Sequence, residues 1–184
     1  MKSTRRAFAL GALAATTLAA CGTPTGTDGA ARIDARVAAT MDRLYRDYPN
    51  IVPIAQQAKA ALVIPLVTEL GFGVGGSFGR GALQINGRTV DYYATASGSA
   101  GLQIGAQQFS HVLFFMTSDA LADFRSGPGW AAGADIEYAW AAQADMLRAE
   151  TTTALSPVIA VVFGQAGVRL GATVEGTKYM RIIP

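Results

Sequence analysis

The chain has 184 residues, 51% of them hydrophobic, which is enough for one domain with a sizeable core. It carries 15 Lys and Arg against 13 Asp and Glu. Three of the basic residues lie in the first 20 positions, so residues 21–184 hold 12 basic and 13 acidic residues, a net charge of −1. The basic excess therefore gives no support for nucleic-acid binding, and a single Cys excludes a disulfide within the chain.

The first 21 residues have the parts of an export signal. A basic start precedes the apolar segment 7–18, which is shorter than the roughly 20 residues that a membrane-spanning helix needs. Leu18-Ala19-Ala20-Cys21 follows directly and resembles the lipobox of bacterial lipoproteins. The resemblance implies that residues 1–20 are a signal peptide and that Cys21 receives a diacylglycerol. Thr4-Arg5-Arg6-Ala7-Phe8 also resembles a twin-arginine signal, so the twin-arginine and general secretory routes both stay open.

Residues 21–31 are small and polar, which predicts a lipidated, flexible tether ahead of the domain. Gly22, rather than Asp, follows Cys21, and by analogy with enteric lipoproteins this favours the outer membrane, facing the periplasm. Each buried methylene of an acyl chain contributes about 0.8 kcal/mol, so two or three chains hold stably. The expected partner is therefore the membrane itself, through acyl chains on Cys21, with no nucleic acid and no cofactor.

Three helices are predicted. Residues 32–48 have apolar side chains every three or four positions, which is typical of a helix with one buried face. A second helix is predicted from Asn50, as its cap, to about residue 60, with Pro53 in its first turn. A short third helix is predicted over residues 118–126, between a Ser cap and Gly127-Pro128.

After residue 59 the pattern shifts to short apolar or alternating runs separated by glycine, which is typical of an antiparallel β domain. The clearest unit is a hairpin around Asn86-Gly87, since both residues tolerate the positive φ values of a type I′ turn. About nine strands are predicted, over residues 61–67, 81–85, 89–94, 101–107, 111–117, 134–142, 157–163, 168–175 and 178–183. The predicted fold class is α+β, a curved antiparallel β-sheet or partial barrel with two N-terminal helices and one short inserted helix.

Four blocks resemble the SYLF domain family, in the family's order. They are residues 59–65 (KAALVIP), 71–81 (GFGVGGSFGRG), 101–107 (GLQIGAQ) and 167–176 (GVRLGATVEG), so the resemblance runs from about Lys59 to the end of the chain. It implies a lipid-binding module. Eukaryotic members bind phosphoinositide membranes, some fungal members bind and bundle actin, and many bacterial members are exported lipoproteins. Export separates this chain from actin, so lipid binding is the favoured expectation.

The glycine run also has the G-x-G-x-x-G spacing at Gly71, Gly73 and Gly76. A dinucleotide fingerprint needs a helix to open at its end, whereas a strand and hairpin are predicted to follow here. We expect these glycines to relieve crowding at bulges and sharp bends of a curved sheet and to let backbones approach closely. The alternative is a direct contact with a ligand.

No catalytic residue or metal ligand is nominated. His111 is the sole histidine, which excludes a His-based metal cluster, and its place at the start of an apolar run predicts a structural role. Ser99 lacks the Gly-x-Ser-x-Gly spacing of a nucleophile elbow. The protein is therefore expected not to be an enzyme.

Four residues are candidates for membrane contact. Arg32, Arg36 and Arg43 share one face of the first helix, and near an anionic surface each contributes on the order of 1 kcal/mol. The alternative is that these arginines only form the solvated face of a helix whose apolar stripe packs on the sheet. Trp130 either rests at the headgroup level or folds back onto the core.

The sequence thus predicts an exported, membrane-anchored lipoprotein whose SYLF-like domain, residues 32–184, binds phospholipid or membrane surfaces without catalysis. One alternative is an envelope structural or interaction protein that binds another protein. A third is an enzyme with an unrecognised site.

Overall fold

The computed structural model describes residues 28–127, 129–131, 136–140, 156–163 and 176–184. Cys21, the predicted signal peptide and the predicted strand over residues 168–175 lie outside these ranges and stay predictions. No helix within them combines the length and the apolar character that crossing a bilayer requires.

Helix α1 spans Asp28–Asp47 and so begins four residues before the predicted start at Arg32. Asp28 lies in its first turn and Arg46 in its last turn, an arrangement that complements the helix dipole. The last four residues of the predicted tether, 28–31, therefore belong to the helix.

The predicted second helix is two shorter elements. A 3₁₀ turn spans Pro49–Ile51, and helix α2 spans Val52–Gln57. Each has a proline in its first two positions, where the fixed φ of proline suits a helical start. Asn50 lies within the 3₁₀ turn, so the prediction that it caps the second helix is wrong, and α2 starts without a side-chain cap.

Strands β1, Ala60–Ile85, and β2, Arg88–Phe115, form one long antiparallel hairpin. Its turn is Asn86-Gly87, with φ values of 52° and 73°, which confirms the predicted hairpin. The two strands contain 26 and 28 residues, and five of the nine predicted strands are segments of these two. Glycine-rich segments do not interrupt them, because the opposite strand pairs with their backbone groups and register shifts accommodate the bends.

The other described strands extend the sheet from the far edge of β2. They are β3 (Trp130–Ala131), β4 (Ile136–Trp140), β5 (Val158–Phe163) and β6 (Lys178–Ile182), in the order β3-β6-β2-β5-β4. The described sheet thus has six strands rather than about nine. It is antiparallel except between β4 and β5, which are parallel.

Helix α3 spans Ser118–Ser126, the predicted bounds. Its cap is Thr117 rather than the predicted serine, since the Thr117 hydroxyl accepts a 3.2 Å hydrogen bond from the backbone N–H of Ala120. Phe124 on this helix is buried in the core.

β1 curls until its second half lies against its first. A Cβ on Gly81 would overlap the carbonyl oxygen of Val63, and a Cβ on Gly79 would lie 2.9 Å from the carbonyl oxygen of Leu66. Only glycine fits such approaches of one backbone to another. The sheet therefore forms a half-barrel, which confirms the predicted α+β class and the curved sheet. Within the glycine run, the predicted close approach of backbones is confirmed at Gly79 and Gly81.

The curled sheet separates two cores. The inner core fills the half-barrel and includes Phe124 of α3 together with several aromatic side chains of β2 and β6. The outer core lies between the sheet and the N-terminal helices, where Val37, Met41 and Leu44 of α1 are buried. β5 is buried on both faces, which explains its unbroken apolar sequence.

Candidate functional site

A groove of about 540 Å³ lies between α1 and the part of β1 that curls back on itself. Gly79 packs against Leu66 and its neighbours, so Phe78 and Leu66, twelve positions apart, line one wall. Arg32 and Arg36 line it from α1. Local structure alone does not bring these four side chains together, because their proximity depends on both the curl and the docking of α1.

Arg80 is the third basic residue that lines the groove. Side chains two positions apart on a strand share a face, and the Arg80 guanidinium carbon lies 5.5 Å from the centroid of the Phe78 ring. No Asp or Glu side chain of the described residues lines the groove. We call this site, with Arg32, Arg36, Leu66, Phe78 and Arg80, the arginine groove.

Asp34 fixes the rotation of α1 on the sheet. Its carboxylate accepts hydrogen bonds from the Thr89 hydroxyl at 2.8 Å and from the Tyr92 hydroxyl at 2.9 Å. Burial, with the hydrogen bond to Asp34, raises the pKa of Tyr92, so this hydroxyl stays protonated and keeps donating. Successive helix residues are rotated by about 100°, so holding Asp34 on β2 places Arg32 and Arg36 on the far side of the helix, toward the groove.

The structure brings together two of the four candidates for membrane contact. Arg43 lies outside the groove, and its side chain forms an exposed ion pair of 3.3 Å with Asp47. Trp130 packs on the inner core, with its ring centroid 5.4 Å from that of Phe124 and 5.7 Å from that of Tyr179. This is the second of the two positions that the sequence left open for Trp130.

Leu66, Phe78 and Arg80 are the groove residues that the sequence did not nominate. Phe78 and Arg80 lie in the glycine run, which was interpreted for its backbone alone. The available signal was the alternation Phe78-x-Arg80, which places an aromatic ring and a cation on one strand face. Nothing in the sequence indicated that Arg80 would line the same groove as Arg32 and Arg36.

His111 occupies the inner core as a structural residue, as predicted. It is 1% exposed, and its Nε2 shares a 2.9 Å hydrogen bond with the Tyr179 hydroxyl. Burial lowers the pKa of His111 to about 3, so the ring is neutral at pH 7. Within the described ranges, no three His, Cys, Asp or Glu side chains cluster in a way that would hold a metal ion.

Part of the chain matches a known family. Residues 96–181 match the family Ysc84, described as Las17-binding protein actin regulator. This is the SYLF family, so the resemblance seen in the sequence is confirmed over these residues. No curated protein matches the chain. The matched residues begin within β2, so the side chains that line the arginine groove from α1 and β1 lie outside the family match.

Proposed function

Because residues 96–181 match the SYLF family, we propose that this protein is a non-catalytic binding module whose arginine groove takes the headgroups of anionic phospholipids. The family description supports a binding role in general. The choice of lipid rests on this chain's own groove, together with the predicted attachment of Cys21 to a membrane.

The observation that carries the proposal is that three arginines line one groove, to which no Asp or Glu of the described residues contributes. Guanidinium groups bind phosphate oxygens through paired hydrogen bonds, which makes arginine well suited to phospholipid headgroups. If each contributes on the order of 1 kcal/mol at an anionic surface, three contribute about 3 kcal/mol, a factor of roughly 100 in affinity. The groove also presents Leu66 and Phe78, which suit the boundary between headgroups and acyl chains.

The lipidated Cys21 would supply the permanent attachment, and the groove would then recognise or bridge lipid surfaces. We place the protein in the bacterial cell envelope, at the periplasmic face of the outer membrane, from the lipobox resemblance and from Gly22. The family description, which names Las17 binding and actin regulation, keeps a protein partner as the second candidate.

The proposal predicts binding that depends on the groove arginines. The sample is the mature chain, residues 21–184 with Cys21→Ser so that no acyl chain is present. We expect it to sediment with vesicles of phosphatidylcholine and phosphatidylglycerol but not with phosphatidylcholine alone. Changing Arg32, Arg36 and Arg80 to Ala is expected to weaken binding roughly 100-fold at low salt, and raising the salt should weaken wild-type binding.

Arg43→Ala is the matched comparison, because Arg43 shares a helix face with Arg32 and Arg36 but lies outside the groove. A groove-centred site predicts near-normal binding for this variant, whereas a basic helix face predicts a loss equal to that of Arg32→Ala. If the wild-type protein did not sediment with anionic vesicles at low salt, the lipid-binding proposal would be overturned and a protein partner favoured.

A further inference from the structure

Exposed apolar side chains are concentrated beside the arginine groove. Of the five large apolar side chains that the described residues leave exposed, Leu66, Leu70 and Phe78 lie on β1, with 42%, 59% and 50% of their surface accessible. Leu66 and Phe78 line the groove, and Leu70 lies four positions beyond Leu66 on the strand. Exposed apolar side chains grouped beside polar residues mark surfaces that bind proteins, ligands or membranes.

These side chains lie where the hairpin leaves the core. Residues 60–67 of β1 are mostly buried, and burial resumes at Gly79. None of the side chains described between residues 68 and 78 is buried, although the backbone stays paired with β2 throughout most of this stretch. We call residues 66–78 the β1 limb. Leu70 and Phe78 therefore contribute little to either core.

We propose that the β1 limb enters the bilayer, with Leu66, Leu70 and Phe78 passing beneath phospholipid headgroups that the groove arginines hold. This inference rests on the proposed function. Its support is charge complementarity, since Arg80 lies over the Phe78 ring, and Arg32 and Arg36 line the groove that Leu66 also lines. Long arginine side chains extend to the phosphate level while apolar neighbours reach the acyl chains.

Two kinds of binding energy with different salt dependence follow from this arrangement. The attraction between guanidinium groups and phosphates is screened as salt increases, whereas burial of apolar surface is not. Binding through arginines alone would disappear at high salt. Binding with an inserted limb would keep a residual component in high salt that depends on Leu66 and Leu70.

The first test measures insertion directly. Cys21 is the sole cysteine, so the mature chain with Cys21→Ser and Leu70→Cys carries one thiol for an environment-sensitive fluorophore. With vesicles of phosphatidylcholine and phosphatidylglycerol we expect the label to brighten and to be quenched by nitroxide groups on the acyl chains. A label at Val90→Cys, an exposed β2 position that does not line the groove, is expected to show neither change.

The second test measures affinity. In the mature Cys21→Ser chain, Leu66→Ser with Leu70→Ser is expected to weaken vesicle binding by about tenfold or more and to abolish the component that persists in high salt. Val90→Ser is the matched control, with similar exposure at 43% and an expected unchanged affinity. Unchanged thermal unfolding of both variants would show that the fold is retained.

The outcomes separate this inference from the proposed function. Salt-sensitive binding of the wild type, with a label at position 70 that stays in water and no effect of the leucine changes, would overturn insertion and leave headgroup binding standing. Wild type that fails to bind anionic vesicles even at low salt would overturn both.

Discussion

The charge state of a single residue, His111, makes the stability of the inner core depend on pH. Its ring is buried between aromatic neighbours, with a hydrogen bond from or to the Tyr179 hydroxyl at Nε2 and no partner within the described residues at Nδ1. Burial lowers its pKa to about 3 in the folded protein, against 6.5 for an ordinary histidine. At mildly acidic pH, His111 therefore binds a proton in the unfolded chain but not in the folded chain.

We predict an acid-dependent loss of stability from this residue. Its contribution is fully present above pH 6.5 and is lost as the pH falls toward 3, by up to about 1.4 kcal/mol for each pH unit. Denaturant unfolding at several pH values between 7.5 and 4.5 measures the slope. His111→Gln, which does not titrate, is the comparison. The carboxylates that titrate in the same pH range are common to wild type and variant. If the unfolding free energy therefore changed with pH equally in both proteins, the assignment of this pH dependence to His111 would be contradicted.

At the scale of the element, β1 determines the shape of the sheet and the position of the groove. It is one 26-residue strand whose glycines allow its two ends to approach each other. The same curl places Phe78 and Arg80 opposite α1. A side chain at Gly81 would push the two halves of β1 apart, and this would open both the half-barrel and the groove.

Gly81→Ala is therefore expected to destabilise the protein by about 2 kcal/mol or more. Gly98→Ala is the matched control, because a Cβ on Gly98 in β2 would meet no atom within 4 Å. We expect this second variant to be neutral or slightly stabilised, since alanine restricts the unfolded chain. Thermal or denaturant unfolding compares them, and a similar stability for the two variants would show that the contact between Gly81 and Val63 does not constrain the fold.

On the scale of the whole molecule, the arginine groove and the residues that match the family are separate parts of the chain. The SYLF match covers residues 96–181, whereas the groove arginines come from α1 and the second half of β1. Asp34 joins α1 to β2 through its hydrogen bonds to Thr89 and Tyr92, which also lie before the matched residues. Membrane attachment would add a third part, Cys21, seven positions before the start of α1.

Lipidation of Cys21 is the prediction that concerns the whole molecule. Cells grown with labelled palmitate are expected to incorporate the label into wild-type protein and not into the Cys21→Ser variant. The wild type should also remain with membranes after a high-salt wash, because two or three acyl chains hold independently of charge. Wild-type protein that carries no label would contradict the lipobox interpretation.

Local signals in the sequence were sufficient for several elements and for the SYLF resemblance that residues 96–181 confirm. The bounds of α3, the apolar face of α1 and the Asn86-Gly87 hairpin were predicted because helical period and turn chemistry act over a few neighbouring residues. The SYLF resemblance depended on spaced glycine and apolar blocks, which need no knowledge of their partners. The basic face of α1 was likewise visible in the sequence, whereas the lipobox resemblance at Cys21 stays a prediction.

Only the tertiary structure decided how these pieces join. Five predicted strands form two, because pairing between β1 and β2 keeps glycine-rich segments extended that local propensity alone would break. The parallel pairing of β4 with β5 and the placement of Arg32, Arg36 and Arg80 along one groove likewise depend on contacts between distant positions. The sequence by itself therefore determined the α+β fold class, the apolar face of α1, helix α3 and the Asn86-Gly87 turn. The fold decided which arginines share a groove, since that depends on how tightly β1 can curl.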